Sequence, residues 1–230
     1  MCGRKTLTKD MKSIIEELAV DEWENPEDFH PSYNITPTQT SPILIYDNGS
    51  KVKMMKWGLI PHWAKDESIG AKLINARSET LTEKPSFQNL VSKNRCIVIS
   101  DGYYEWKRIG KQKQPYYIHH PENKLLLMAG LWSQWKFKDK TIVFSYTVIT
   151  TTPTPDIAFI HSRMPVILSE KNLPIWLNGN QYSSNDALKY LIPFETSLTF
   201  SPVSPFVNSP KNNSMECIKP LDNLPTMTLF

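Results

Sequence analysis

The chain has 230 residues, 40% of them hydrophobic, with seven Trp, nine Tyr and nine Phe, which suits one well-packed core. A net charge of +3 and a pI near 8.6 are too mild to mark a nucleic-acid protein by themselves. No apolar run reaches the ~20 residues of a membrane span, and the polar start (Arg4, Lys5, Lys9, Asp10) lacks a signal-peptide core. In chain order, Met11, Ile14, Ile15 and Leu18 fall at helical spacing. They predict an amphipathic helix from Thr8 to Val20, with Thr8 as its cap. A turn-rich, proline-bearing stretch follows from Asn25 to Thr40. Strands are expected at 43–46, 51–57, 95–100, 103–107, 116–119, 125–135 and 141–150. Asp47-Asn48-Gly49-Ser50 is a hairpin turn between the first two. Residues 155–160 read as a short helix with Thr154 as cap and Pro155 in the first position. A short strand at 164–168, a helix at 184–191 capped by Ser183 or Ser184, and a strand at 198–203 complete the pattern.

Strands dominate, and most links are too short for parallel crossovers. The expected fold class is therefore α+β, with a mainly antiparallel, barrel-like sheet and a few peripheral helices. One domain is expected over 1–207. A tail over 208–230, rich in Asn, Ser and Pro, is expected to be loosely ordered. Cys2, Cys96 and Cys217 are odd in number and lack CxxC spacing. This argues against a disulfide framework or a cysteine zinc site, and for a reducing cytoplasm. No nucleotide-binding or metalloprotease motif is present, so neither a metal nor a cofactor is expected. Basic clusters occur at Lys51/Lys53/Lys56, Lys107/Arg108/Lys111/Lys113 and Lys136/Lys138/Lys140. Solvated strand edges and turns are the plain reading of such clusters, and the preferred one for Lys136/Lys138/Lys140.

Four segments look unlike scaffold: Met1-Cys2-Gly3-Arg4; Trp57-Gly58-Leu59-Ile60-Pro61-His62-Trp63 with Ile74-Asn75-Ala76-Arg77-Ser78-Glu79-Thr80; Asp101-Gly102-Tyr103-Tyr104-Glu105-Trp106; and His161-Ser162-Arg163-Met164-Pro165. Removal of Met1 would leave Cys2 with a primary amine and a thiol two bonds apart. Such a 1,2-aminothiol condenses with an aldehyde to an imine, then closes a five-membered thiazolidine intramolecularly. A modest downward shift of either reference pKa, roughly 8 and about 8.5, would make the amine or thiol reactive at neutral pH. Singly, each segment has an ordinary explanation. Asn75 suits a turn, Glu105 a strand surface, His161 a helix end, and the arginines surface ion pairs.

Together with Tyr33-Asn34-Ile35-Thr36-Pro37-Thr38-Gln39, the segments resemble the SOS response-associated peptidase (SRAP) family from Cys2 to about Val207. Members of that family attach covalently to abasic sites in single-stranded DNA. Lys5 departs from the pattern, which usually has an aromatic there. The family is called a peptidase because some members are thought to remove residues preceding the cysteine. Only Met1 precedes it here, so general protease activity is not expected.

The resemblance implies Cys2, Asn75, Glu105 and His161 as the active site. In the expected reaction Glu105 moves protons at the amine and sugar, and His161 shuttles protons at the sugar. Asn75 holds the N-terminus. Arg4, Arg77 and Arg163 grip phosphates, as the family's matching arginines do, while Trp106 and Pro37 offer apolar platforms to bases. The expected partner is single-stranded DNA bearing an abasic site, bound by a monomer without membrane association. Two rival readings are an N-terminal-nucleophile amidohydrolase using Cys2 and a non-catalytic single-strand-binding module.

Overall fold

A computed structural model describes residues 2–137, 141–194 and 196–221. Its strands, in chain order, are β1 (Lys5–Leu7), β2 (Glu22–Trp23), β3 (Ser32–Ile35), β4 (Thr40–Tyr46), β5 (Ser50–Trp57), β6 (Asn75–Arg77), β7 (Arg95–Ser100), β8 (Gly102–Ile109), β9 (Gln112–His119), β10 (Leu126–Lys136), β11 (Ile142–Thr151), β12 (Met164–Pro165) and β13 (Thr199–Pro202). The α-helices are short: α1 (Met11–Leu18), α2 (Leu90–Lys93), α3 (Pro155–Ala158), α4 (Leu173–Leu177) and α5 (Ser184–Leu188).

The sequence of β7, Arg-Cys-Ile-Val-Ile-Ser, does not alternate, and every position is buried. It lies between β4 and β10 in a ring ordered β5-β4-β7-β10-β11, and β11 returns to β5. The closing pair is parallel, through Ser145↔Lys56 and Tyr146↔Trp57, while the other ring pairs are antiparallel. Closure removes the exposed edges of these five strands. Ile43, Val52, Met55, Ile97, Val98, Leu126, Leu131, Tyr146 and Val148 belong to the buried core. A second, antiparallel sheet runs β13-β9-β8-β1-β3. Its β8 begins two residues after β7, so Asp101 is the corner where the chain leaves the barrel. The α+β, barrel-like and mainly antiparallel class read from the sequence holds.

Three local expectations change. The first helix starts at Met11, capped by Asp10, whose carboxylate accepts from Ser13 N at 2.8 Å. Thr8 does not cap it, because its hydroxyl donates to Asp101 Oδ2 at 2.7 Å. Lys9 N donates to the same oxygen and Thr6 Oγ1 to Oδ1, so one corner carboxylate fixes the start of the chain. Parallel pairs also exist, because β6 and β2 lie far along the chain from their partners and need no tight crossover. Finally, residues 208–221 depart from the expected loose tail. Val203 bridges Pro220, Cys217 is fully buried, and Asn213 Oδ1 accepts from Tyr33 N at 2.7 Å. Polar side chains there bond to the domain, so polarity did not mean disorder. Met1, Lys138, Lys140 and tail residues 222–230 lie outside the described residues.

Glycine explains two of the motifs. Gly102 has no room for a side chain, since a Cβ would lie 2.4 Å from the Tyr117 ring. Gly58 has φ +122°, and a Cβ there would meet Gly70 O at 2.6 Å. Both positions require the residue that lacks a Cβ.

Candidate active site

The antiparallel register Lys5↔Tyr103 and Thr6↔Gly102 runs β1 backwards along β8. Tyr104 N donates to Arg4 O at 3.0 Å, extending the pairing toward Cys2 and Glu105. Cys2 is fully buried. Asn75, at the start of β6, donates from Nδ2 to Cys2 O at 2.8 Å. Asn75 Oδ1 is buried and has no hydrogen-bond partner among the described residues. Strand alternation puts Asn75 and Arg77 on one face of β6 and the buried Ala76 on the other. His161 follows α3, and its Nδ1 lies 3.9 Å from Glu105 Oε1. The structure thus brings the chain start, Asn75, Glu105 and His161 to one place from four separate segments.

The electrostatics assign protonation states. Burial, assisted by the nearby Glu105 charge, pushes the Cys2 thiol up to about 12. This is opposite to the downward shift that would make a resting thiolate. Burial raises the Glu105 carboxyl to about 7, so it holds a proton part of the time at neutral pH. Burial lowers His161, so its imidazole is neutral at pH 7. Arg163 N donates to His161 Nδ1 at 3.0 Å. A backbone N–H can only donate, and this contact is shorter than the 3.3 Å from Nδ1 to Arg163 O, so we assign the ring's remaining proton to Nε2. At 3.9 Å the Glu105–His161 approach is too long for a hydrogen bond.

A cavity of about 630 Å³ is lined by Glu105, Trp106, Arg108, Lys113, His161 and Asn208. Trp106 stands half-exposed in its wall, with Nε1 donating to Asn208 Oδ1 at 2.8 Å. The Arg4 guanidinium lies 6.0 Å from the Trp106 ring centroid, in cation–π range. Its donors go to Asn34 Oδ1 at 2.8 Å, Val207 O at 2.6 Å and Asn208 O at 2.9 Å. All three acceptors are neutral, so Arg4 keeps a charge that no carboxylate compensates among the described residues. Arg163 is held differently. Its terminal nitrogens donate to both Glu79 oxygens, at 2.6 and 2.9 Å. Arg77 is exposed and makes no ion pair among the described residues. Pro37, in the turn after β3, is half-buried and does not line this cavity among the described residues.

Sequence reasoning missed Asn208, Asn34 and Glu79 as supports. Asn34 and Glu79 sat inside quoted motifs, so the signal was present but unassigned. Asn208 offered none, because it opened the expected tail. Lys5 is fully buried beside this site, with Nζ donating to Ile99 O at 3.0 Å. The Tyr103 hydroxyl is also buried, without a hydrogen-bond partner among the described residues.

A family model described as SOS response associated peptidase matches residues 1–210. The chain is 42% identical to the abasic site processing protein YoqW of Bacillus subtilis (strain 168), over 95% of this chain and 99% of that one. It is 36% identical to the abasic site processing protein HMCES of Mus musculus, over 97% of this chain and 77% of that one. Among solved structures, a protein from Bacteroides thetaiotaomicron superposes with a TM-score of 0.86 at 27% identity, covering 96% of this chain and all of that one.

Proposed function

The chain belongs to the SOS response associated peptidase family, and from that premise we propose that it captures abasic sites in single-stranded DNA as a covalent adduct on Cys2. The observation that carries this reading is the Asn75 Nδ2 bond to the Cys2 carbonyl at 2.8 Å, made beside Glu105 and His161. An N-terminal cysteine held by its own carbonyl has both its amine and its thiol left for chemistry. In the chain as written, the Cys2 nitrogen is an amide, so Met1 must first be removed.

The ring-opened sugar presents an aldehyde at C1′. The Cys2 amine adds to that carbon and water leaves, giving an imine. Sγ then adds to the same carbon, and its proton ends on the ring nitrogen as the thiazolidine closes. Amine, thiol and aldehyde are consumed, and one water is released. Removing the imine removes the species that invites β-elimination and strand cleavage.

With the thiol pushed up to about 12, sulfur enters as a thiol and needs a base. Glu105, at about 7, is suited to accept that proton and return it. Neutral His161, with its proton on Nε2, is suited to donate to the sugar oxygen released on ring opening. Arg4 and Arg77 are suited to meet flanking phosphates, because neither charge is spent on a carboxylate among the described residues. Arg163 acts through Glu79 and through its N–H on His161, which supports a positioning role alongside the expected phosphate contact. Trp106 and Pro37 remain stacking surfaces in this reading.

The test incubates mature protein with a single-stranded oligonucleotide carrying one abasic site. A denaturation-resistant one-to-one adduct is expected, with intact mass showing Met1 absent, and Cys2→Ala abolishing it. Persistence of the adduct in Cys2→Ala would sink the thiazolidine. Hydrolysis of an amide substrate without adduct would favour the amidohydrolase reading. Equal, purely reversible binding of abasic and ordinary strands would favour a non-catalytic module.

A further inference from the structure

The β8–β9 hairpin leads straight out of the candidate active site. Its register pairs Tyr104 with Tyr117, Trp106 with Pro115, and Arg108 with Lys113. Period-two alternation therefore places Tyr104, Trp106 and Arg108 on one face, with Lys113 directly across from Arg108. That face becomes steadily more polar and exposed outward. Tyr104 is buried, Trp106 is half-buried, and Arg108 and Lys113 are exposed. Both cations line the cavity that contains Glu105 and His161. Two like charges directly opposite in an antiparallel pair destabilise it. No carboxylate compensates them, since neither residue forms an ion pair among the described residues. Lys107 and Lys111 add to the same hairpin, which carries no acidic residue from Gly102 to His119 except Glu105.

Two of the three arginines flanking the catalytic positions are engaged by protein groups. Arg163 is held by Glu79 on both terminal nitrogens, and Arg4 is committed to carbonyls and Asn34. Arg108 and Lys113 are the cations of the cavity wall whose donors point to no protein acceptor among the described residues. We infer that Arg108 and Lys113 form a phosphodiester clamp at the cavity mouth, gripping the strand beyond the nucleotide that meets Trp106. Arg108 stands two residues from Trp106, a strand rise of about 6.6 Å, so the clamp addresses a neighbouring nucleotide and leaves the lesion to the inner site. Its ligand class is the anionic backbone of a single strand, read without regard to base. This rests on the functional reading above, and its test is arranged to separate the two.

The experiment compares wild type, Arg108→Gln/Lys113→Gln, the charge-keeping Arg108→Lys/Lys113→Arg, and a remote control, Lys12→Gln/Lys171→Gln. Binding of an ordinary, lesion-free single strand is followed by fluorescence anisotropy across a salt series. Adduct formation on the abasic strand is followed in parallel. The glutamine pair should weaken ordinary-strand binding by about tenfold at low salt and flatten the log–log salt slope by about 1.4, or roughly 0.7 per phosphate released. The charge-keeping pair should restore most of that slope, and the control should match wild type. A glutamine pair with wild-type affinity and slope overturns the clamp. So does an equal loss in the remote control, which would mean diffuse attraction only. Absence of adduct in wild type would overturn the functional reading, while the lesion-free strand would still decide the clamp.

Discussion

Two buried ionisable side chains of opposite sign frame Cys2. Lys5 is fully buried, and its ammonium is driven down from 10.5 to about 8, chiefly by burial. Glu105 is driven up from 4.5 to about 7 by the same cause. Each shift costs on the order of 3 kcal/mol when the charged form is forced in the folded state. The signs differ. The Lys5 cost is absent above pH 10.5, appears as pH falls through the interval down to 8, and is complete at pH 7. The Glu105 cost is absent below pH 4.5 and is complete only above 7. Lys5→Met should therefore raise the melting temperature at pH 7, by up to about 9 °C at roughly 3 °C per kcal/mol. That gain should shrink toward zero near pH 10.5. A lower melting point for Lys5→Met at pH 7 would mean that Lys5 is required for packing. Glu105→Gln should stabilise at pH 8 and be neutral near pH 4. Wild-type adduct formation should rise in rate as pH passes through about 7, and Glu105→Gln should lose that rise. A retained rise would assign that proton to another group.

At the scale of elements, what was legible depended on length and on alternation. The long strands β4, β5, β10 and β11, and the Asp47–Ser50 turn, announced themselves through β-branched and aromatic runs. The strands β1, β2, β3 and β6, of two to four residues, did not, because so few residues cannot show a period, whereas the equally short β12 and β13 lie in apolar stretches that mark them. Two of these, β1 and β6, position Cys2 and Asn75. The candidate site was therefore readable as residues but not as geometry. The helix start was misplaced because Thr8, a good cap by composition, is claimed by Asp101. That corner makes β8 sensitive at Gly102. Gly102→Ala would press a methyl group against the Tyr117 ring, where a Cβ has 2.4 Å. A destabilisation of about 1–3 kcal/mol is expected from such overpacking. A larger fractional loss of adduct rate should accompany it, because β8 carries Glu105. Tyr117→Leu should recover part of the stability in the double variant. Simple additivity of the two changes in thermal unfolding would show that the ring is not what Gly102 accommodates.

Across the whole molecule, the start of the chain and its late segments are tied by one amide. Asn34 is 2% exposed. It accepts from Arg4 at 2.8 Å, and its Nδ2 donates to Asn212 O at 2.7 Å and Ser209 O at 3.1 Å. Arg4 in turn donates to Val207 O and Asn208 O, and Asn208 holds the Trp106 ring nitrogen. The tail-side residues thus set the position of Arg4, two residues after Cys2, and of Trp106, next to Glu105. Composition hid this, since Asn, Ser and Pro serve equally well in a loose tail and in a hydrogen-bonded strap. Asn34→Ala should leave the partly buried Ser209 and Asn212 carbonyls without their donor, each costing up to about 1–3 kcal/mol, and lower the melting temperature accordingly. It should also open residues 208–221 to limited proteolysis while the barrel, whose ring is closed by β5 and β11, stays resistant. Adduct formation should slow in the same variant, because Arg4 loses its seat. If the strap becomes cleavable but adduct formation keeps its wild-type rate, the strap stabilises the fold without positioning the site. If neither changes, the carbonyls have found water or other donors, and Asn34 is not the knot.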